Sequence, residues 1–270
     1  METTGSHPLM RIDVGAVLRG RLHRDVPAWL TRPLERLVCQ DRLNEMLRVA
    51  YPRRGADFCR SVTEHLGITV DVSGRDNLPA DRRVIIVSNH PLGGLDGMAM
   101  IEIFADIYGP DLHFVVNDLL QAVEPLSDVF VPVNKHGAQS REAARRLEEV
   151  FASDAPVLMF PAGLCSRRIR GRVTDLEWQK MFVQKARAYH RDVVPVHFVA
   201  ENSARFYRWA RIRKRLGIRF NAEMVLLPSE VFRAAGSRFE LRIGRPLPWQ
   251  SLAGDARKQA ESIKNIVYSL

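Results

Sequence analysis

The chain has three cysteines in 270 residues, Cys39, Cys59 and Cys165, too few and too widely spaced for a disulfide framework or a zinc site. That scarcity excludes the small stapled folds and points to a reducing compartment. Long hydrophobic runs are missing too. No window approaches about 18 consecutive apolar residues, so no helix is expected to span a membrane. The stretch from Met1 to Arg24 carries His7, Arg11, Arg19, Arg21, His23 and Arg24 without an apolar centre, and does not read as a secretory leader. Repeats and low-complexity tracts are absent. His113, His136, His190 and His197 fall at spacings that fit no common ligand set, so no metal is expected.

Negative charge is also short. Against 40 Lys and Arg stand 31 Asp and Glu, a net charge of +9 with a pI near 9.9. Much of the excess is local. Residues 205–219 hold seven basic side chains and no acid, interleaved with Phe206, Tyr207, Trp209 and Ile212. Nucleic acid, an anionic membrane surface and an acidic acyl carrier protein are competing partners for such a tract, and a solvated helix face is the plain alternative. Each cation near an anionic leaflet contributes about 1 kcal/mol, so the tract is sufficient to hold a protein at a membrane without a span.

What is present is a hydrophobic content of 46 %, enough for one large domain or a domain with a helical appendage. Residues 1–25 are expected to be mobile. From Val26 to Leu66 apolar residues recur at helical spacing, with Pro27, Pro33 and Pro52 as breaks. From Gly67 onward strands and helices alternate. Residues 84–88, 113–116, 129–133, 157–160, 193–198, 223–227 and 239–243 read as strands, after an alternating start near 68–72. Residues 98–107, 139–151, 178–189, 203–215 and 255–267 read as helices. The order predicts an α/β fold, a mixed central sheet flanked by helices, preceded by a helical segment, with a division near residue 66 into 1–66 and 67–270.

Two strand ends carry the chemistry. After the apolar run Val84–Val87 come Asn89-His90-Pro91-Leu92-Gly93-Gly94-Leu95-Asp96-Gly97. A carboxylate on one imidazole nitrogen fixes the tautomer and leaves the other nitrogen as a base near neutral pH. Asp96 could equally cap the helix that follows, and the glycines could be turn filler. The second loop, Phe160-Pro161-Ala162-Gly163-Leu164-Cys165-Ser166-Arg167-Arg168, follows the apolar Val157–Met159. Ligands in open α/β sheets bind at the carboxyl ends of strands, so both loops belong to one expected cleft. Cys165 near a histidine also raises a Cys/His nucleophilic hydrolase, although no Gly-x-Cys elbow accompanies it.

Together the loops resemble the lysophospholipid/glycerolipid acyltransferases of the PlsC type, over roughly residues 70–250. Their first block is Asn-His-x4-Asp and their third Phe-Pro-Glu-Gly-Thr-Arg-Ser-Arg. A second block falls on Phe130-Val131-Pro132-Val133 and a fourth on Val193-Val194-Pro195-Val196. The departures are specific. Five residues separate His90 from Asp96, Ala162 stands at the block-three Glu, Cys165 at its first Arg, and Val133 at the block-two Arg, with Asn134, Lys135 and His136 following. In members that acylate lysophosphatidate the block-two Arg and the block-three Glu-Gly region help hold the glycerophosphate. This version therefore looks closer to the hemolysin-like, aminolipid-forming branch, whose acceptors are lyso-ornithine or lyso-glycine lipids.

The resemblance implies transfer of a fatty acyl group from acyl-ACP or acyl-CoA, as co-substrate and with no bound cofactor, to a lysolipid hydroxyl. His90 is then the base and Asp96 its orienter. Asn89, Gly93, Gly94, Phe160, Pro161, Gly163 and Ser166 fall in the substrate-binding blocks, the glycine N–H groups as oxyanion or phosphate donors. Arg167, Arg168 and Lys135 would hold an anionic headgroup or the phosphopantetheine phosphate. The implied setting is cytoplasmic, peripheral on the inner face of the cell membrane, with an anionic membrane surface as partner and no nucleic acid. A 1-acylglycerol-3-phosphate acyltransferase is the alternative within the class. A catalytically inactive basic protein that binds membrane or nucleic acid is the alternative outside it.

Overall fold

A computed structural model describes residues 11–23, 26–117, 123–133, 141–218 and 221–270. Its centre is a seven-stranded sheet built from β1 (Thr69–Ser73), β2 (Val84–Ser88), β3 (His113–Asn117), β4 (Phe130–Val133), β5 (Val157–Met159), β8 (Asp192–Val199) and β9 (Arg238–Ile243). The remaining two strands, β6 (Arg167–Ile169) and β7 (Arg172–Thr174), form a separate antiparallel hairpin. The sheet order is β1-β9-β8-β2-β5-β3-β4. Strands β8, β2, β5, β3 and β4 run parallel, whereas β9 lies antiparallel to β8 and parallel to β1. The sheet is mixed, as the alternation of elements predicts.

Central parallel strands covered on both faces read as unbroken apolar runs. In β2 every residue is buried, and the pleat sends Ile86 to one core and Ile85 and Val87 to the other. Leu158 of β5 faces with Ile86, and Val157 and Met159 face the opposite way. Each such side chain taken fully from water contributes about 1.5–3 kcal/mol.

The first face is covered by α3 (Gln40–Ala50), α4 (Gly55–His65) and α5 (Leu95–Tyr108), through Met46, Phe58, Val62, Ala99, Met100 and Phe104. The second is covered by α6 (Arg141–Ala152), α7 (Met181–Tyr189) and α10 (Ala256–Ser269), through Phe151, Phe182, Val183, Ile263 and Val267. Helices α3 and α4 thus pack in the same core as the sheet.

Three local expectations are corrected. Within the stretch expected to be mobile, Val14–Leu22 form α1, started by Asp13, whose side chain accepts from the Ala16 N–H at 2.8 Å. The chain before α1 is clamped to α3. Ile12 N–H donates to Asn44 Oδ1, Asn44 Nδ2 returns a bond to Ile12 O, and Val14 N–H donates to Gln40 Oε1. The expected strand at 223–227 is a 3₁₀ turn over Ala222–Leu226 that leads into α9 (Leu227–Arg233). A short apolar run cannot by itself distinguish strand from helix. The hairpin β6–β7 falls where the sequence pattern predicts loop. Helices α2 (Ala28–Leu37) and α8 (Ala204–Arg215) complete the set, the latter close to its expected bounds.

Candidate active site

β2 and β5 are adjacent in the sheet, so their carboxyl ends deliver the two loops side by side. His90 leaves β2 two residues beyond its end, with its ring stacked on Phe160 at 4.0 Å and 18°. Asp96 sits in the first turn of α5, wholly buried, with Oδ2 at 2.9 Å from His90 Nδ1. Asp96 is not the helix cap; Gly94 occupies that position. Instead Oδ2 also accepts the Leu92 N–H at 2.9 Å, and Oδ1 accepts those of Gly94 and Gly97. Burial pushes the Asp96 carboxyl upward, but the His90 ring and the N–H groups of Leu92 and Gly97 outweigh it and hold the group below the usual carboxylate range.

An ionised Asp96 on Nδ1 leaves Nε2 as the basic nitrogen. Within the Asn-His-x5-Asp loop, Gly93 turns the chain at φ 76°, where a Cβ would lie 2.7 Å from Leu227.

Beside His90 opens an apolar cavity of about 290 Å³. Its walls come from α3 and α4 (Leu43, Met46, Phe58), α5 (Met98, Ile101), β3 and Phe160, with Ile12 from the clamped N-terminal segment. A smaller cavity of about 170 Å³ shares Phe160 and Gly163 with it and is also lined by Pro161, Ala162 and residues at the ends of β3 and β4.

The remaining site residues predicted from sequence divide sharply. Phe160, Gly93, Gly94 and Gly163 line the larger cavity, and Pro161 the smaller. The Gly94 N–H is taken by Asp96 and the Gly163 N–H by Phe160 O at 2.9 Å, so those two are not open oxyanion donors. Gly93 is the one of the three whose N–H is not bonded to another described residue.

Asn89 is buried and faces the next strand rather than the cavity. Its Nδ2 donates to Phe198 O, and its Oδ1 accepts from the Phe198 N–H at 2.7 Å. Ser166 is buried as well. Its N–H donates to His90 O at 2.7 Å and its hydroxyl to Asp175 Oδ1. Both side chains are bonded within the scaffold, as backbone polar groups at a buried strand end must find partners.

Arg167 departs furthest from its expected part. Its guanidinium is buried against Cys165 O and Glu223 Oε1, the latter at 2.9 Å. Arg213 of α8 closes on the other carboxylate oxygen, its Nε 2.7 Å from Oε2 without an aligned N–H bond. Arg168 is exposed, paired with Glu201 at 2.7 Å and lying over the Tyr207 ring. Cys165 is fully buried, with Sγ 3.2 Å from Pro91 O, and burial raises its thiol well above the usual range. A nucleophilic thiolate does not fit there. Lys135 lies outside the described residues.

Sequence reasoning missed Asp175. It is buried and spans both loops: Oδ1 accepts the His90 main-chain N–H at 3.2 Å and the Ser166 hydroxyl, and Oδ2 the Trp178 indole N–H at 2.8 Å. No spacing rule links it to His90, 85 positions away. Asn202, missed likewise, ties the first loop down by donating from Nδ2 to Pro91 O at 2.9 Å.

A family model described as acyltransferase matches residues 14–270. Lyso-glycine lipid O-acyltransferase from Phocaeicola vulgatus is 41 % identical over 264 residues, covering 96 % of this chain and 95 % of that protein. The protein of the same name from Bacteroides thetaiotaomicron is 40 % identical over 267 residues, covering 97 % and 98 %. Among solved structures, the 1-acyl-sn-glycerophosphate acyltransferase PlsC from Thermotoga maritima aligns with a TM-score of 0.46 at 17 % identity, over 83 % of this chain and 86 % of that one. A match that runs from the first helix to the last residue, over a strand-end histidine and its buried aspartate, makes this chain a member of the acyltransferase family.

Proposed function

We propose that the protein moves a fatty acyl group from an acyl thioester to the hydroxyl of a lyso-aminolipid of the glycine-lipid type, at a membrane surface. The observation that carries the reading is the His90–Asp96 pair at the mouth of an apolar cavity. The acceptor class is supported by the two relatives, each about two-fifths identical over nearly its whole length.

The chemistry runs as follows. His90 Nε2 takes the proton of the acceptor hydroxyl while its oxygen attacks the thioester carbonyl carbon. The tetrahedral oxyanion collapses, the C–S bond breaks, and the imidazolium returns the proton to the leaving thiolate. The products are an ester and a free thiol. Asp96 holds the tautomer and stabilises the imidazolium. Gly93 is the glycine of its loop left to offer an N–H to the oxyanion. The apolar cavity suits a hydrocarbon chain. Every step uses groups of this chain and the two substrates, with no bound cofactor.

No helix of the described residues is long and apolar enough to cross a membrane, and we assign the contact with lipid to surface adhesion. α8 suits that part. Its inner face buries Phe206, Tyr207 and Ala210, and its outer face exposes Trp209 and Ile212 among Arg205, Arg208, Arg211 and Lys214. α2 adds exposed Trp29, Leu30 and Leu34, and its Leu37 packs against the cluster that holds Phe206. The surface we assign to this contact is the cytoplasmic face of the cell membrane, where acyl thioesters are supplied.

The direct test incubates purified protein with labelled acyl-ACP or acyl-CoA and a panel of lysolipids, read by lipid mass spectrometry. Ester formation on lyso-glycine lipid, with lysophosphatidate a poorer acceptor, is the expected result. Ala162 and Val133, in place of the charged residues that would hold glycerophosphate, motivate that order. Equal or faster acylation of lysophosphatidate would overturn the acceptor assignment, and no product from any pairing would overturn the reaction.

A further inference from the structure

Two features of the site have no counterpart in the His90–Asp96 pair. The main chain of His90 is gripped on both sides, its N–H by Asp175 Oδ1 and its carbonyl by the Ser166 N–H. The carboxylate on the N–H side is almost wholly buried, and among the described residues its bonds come from the His90 N–H, the Ser166 hydroxyl and the Trp178 indole, none of them a cationic side chain. Its own N–H donates to Tyr268 Oη at 2.7 Å, which fastens it to α10.

Removing a carboxylate from water without a counter-ion is costly. Burial indeed raises the Asp175 carboxyl above its ordinary value, even though three donors favour the charged form. A fold seldom keeps such a group where an amide or an apolar side chain would serve.

Here neither substitute would serve. Three donors converge on two oxygens. An asparagine could accept from His90 and Ser166 through its one oxygen, but its amide would then face the Trp178 N–H, donor against donor. An alanine would leave all three donors buried and unbonded. The carboxylate also ties both strand-end loops to the lead into α7.

We propose that Asp175 is the positioning residue of this site, fixing the main chain of His90 so that Nε2 points at the acceptor hydroxyl. It acts on turnover through His90 and makes no contact with either substrate. The proposal rests on the reading of His90 as the base, and deepens it.

The experiment compares wild type, Asp175→Asn, Asp175→Ala, Ser166→Ala and His90→Ala in the same acyl-transfer assay, each checked for native circular dichroism. Misplacement of a reacting group by a fraction of an ångström to an ångström costs up to about 10²-fold. Asp175→Asn should therefore lower kcat by about tenfold to a hundredfold, with KM for both substrates within about twofold of wild type. Ser166→Ala removes one donor from the same oxygen and should give a smaller loss of the same kind.

A second readout separates positioning from general support. In histidine-labelled protein the hydrogen-bonded His90 Nδ1 proton should give a downfield resonance, assigned by its disappearance in His90→Ala. That resonance should shift or broaden in Asp175→Asn, at a temperature where the variant is fully folded. The near-isosteric asparagine carries the test if the alanine variant does not fold. A folded Asp175→Asn with kcat within about twofold of wild type, or with an unmoved resonance, overturns the proposal. So does a raised KM with kcat unchanged, which would make Asp175 a substrate contact. Undiminished activity of His90→Ala instead overturns the assignment of the base, and is told apart by that variant alone.

Discussion

The loops after β2 and β5 leave neighbouring strands, and each carries a glycine turn, a nucleophile or base and charged side chains, yet they do opposite things. The first turns its reactive group outward: His90 reaches the cavity, with Asp96 behind it. The second turns its own inward: Cys165, Ser166 and Arg167 are all buried, bonded to main-chain oxygens or to acids. Only its Phe160–Gly163 portion faces the cavities. The same kinds of residues at equivalent strand ends are thus a working edge in one case and a frame in the other. What the paired group faces separates them. Asp96 is buried behind a ring that lines the apolar cavity, whereas the Arg167 guanidinium is bonded to Cys165 O and Glu223.

The sharpest way to break this contrast is at its ends. His90→Ala should lower turnover by about 10²-fold to 10⁴-fold, the usual worth of a general base, while leaving the melting temperature and liposome binding near wild type. Retention of more than about a tenth of the rate would remove the base from the site. Glu223→Gln should do the reverse. It leaves buried Arg167 and half-buried Arg213 without their counter-charge and should cost about 3–5 kcal/mol of stability in denaturant titration, with the loss of activity following unfolding. A stable Glu223→Gln with a raised KM would return Arg167 to the substrate.

Asp96 sits between these cases, buried like Glu223 but paired with the ring that lines the cavity. Asp96→Asn should lower turnover by about 10²-fold or more, because the imidazole is retained without its tautomer being chosen. The same variant tests the charge. The carboxyl is held below its unfolded value, so its ionised form contributes stability above the ordinary carboxylate range. That contribution is lost as pH falls through the depressed folded value. Asp96→Asn should accordingly flatten the acid-side decline of the melting temperature. An unchanged acid limb would mean the group is not held ionised.

How much of this was legible in the sequence follows from the range over which each signal acts. β2 and β5 announce themselves because strands buried on both faces are apolar without interruption, and His90, Asp96 and Phe160 stand within a few residues of those runs. α8 is legible from its length and interleaved charges. The β6–β7 hairpin is not, since Arg-Arg-Ile alternates weakly; its one local mark is Arg170-Gly171, both at positive φ, as a tight turn demands. Asp175 and Glu223 could not be found at all. Their meaning lies in partners 85 and 56 positions away, and no local pattern distinguishes a buried acid from a solvated one. Arg167 misleads for the same reason, since a basic residue in a loop reads as exposed until its acid is located.

The basic helix offers a weaker contrast, between one face that anchors the fold and one that meets a partner. Arg213 belongs to the anchoring face through Glu223, so a fair test of the other changes Arg208, Arg211, Lys214 and Arg215 to Gln and leaves Arg213 alone. Binding to anionic liposomes should fall by about tenfold or more, and wild-type binding should weaken as salt rises. Turnover of a soluble short-chain acceptor should stay near wild type. Unchanged liposome binding with a raised KM for acyl-ACP would assign the face to carrier protein instead.

The smallest expected effect belongs to Cys165, and it closes the comparison of the two loops. If the acceptor attacks the thioester directly, no acyl-enzyme forms, and the thiol has no chemical part to play. Its surroundings agree: Sγ is wholly buried, lies against Pro91 O and the Asn202 amide, and is driven by burial to hold its proton. Replacing it with alanine removes one buried sulfur and leaves a small void, so about 1 kcal/mol of stability is the expected loss. Asn202 keeps its own bond to Pro91 O in that variant, so the His90 loop should stay in place. Cys165→Ala is therefore expected to retain turnover within about twofold, and alkylating reagents should act on the native enzyme slowly if at all. Trapping an acyl group on Cys165 by mass spectrometry during turnover would reverse the roles of the loops, making the second the working edge and His90 its base.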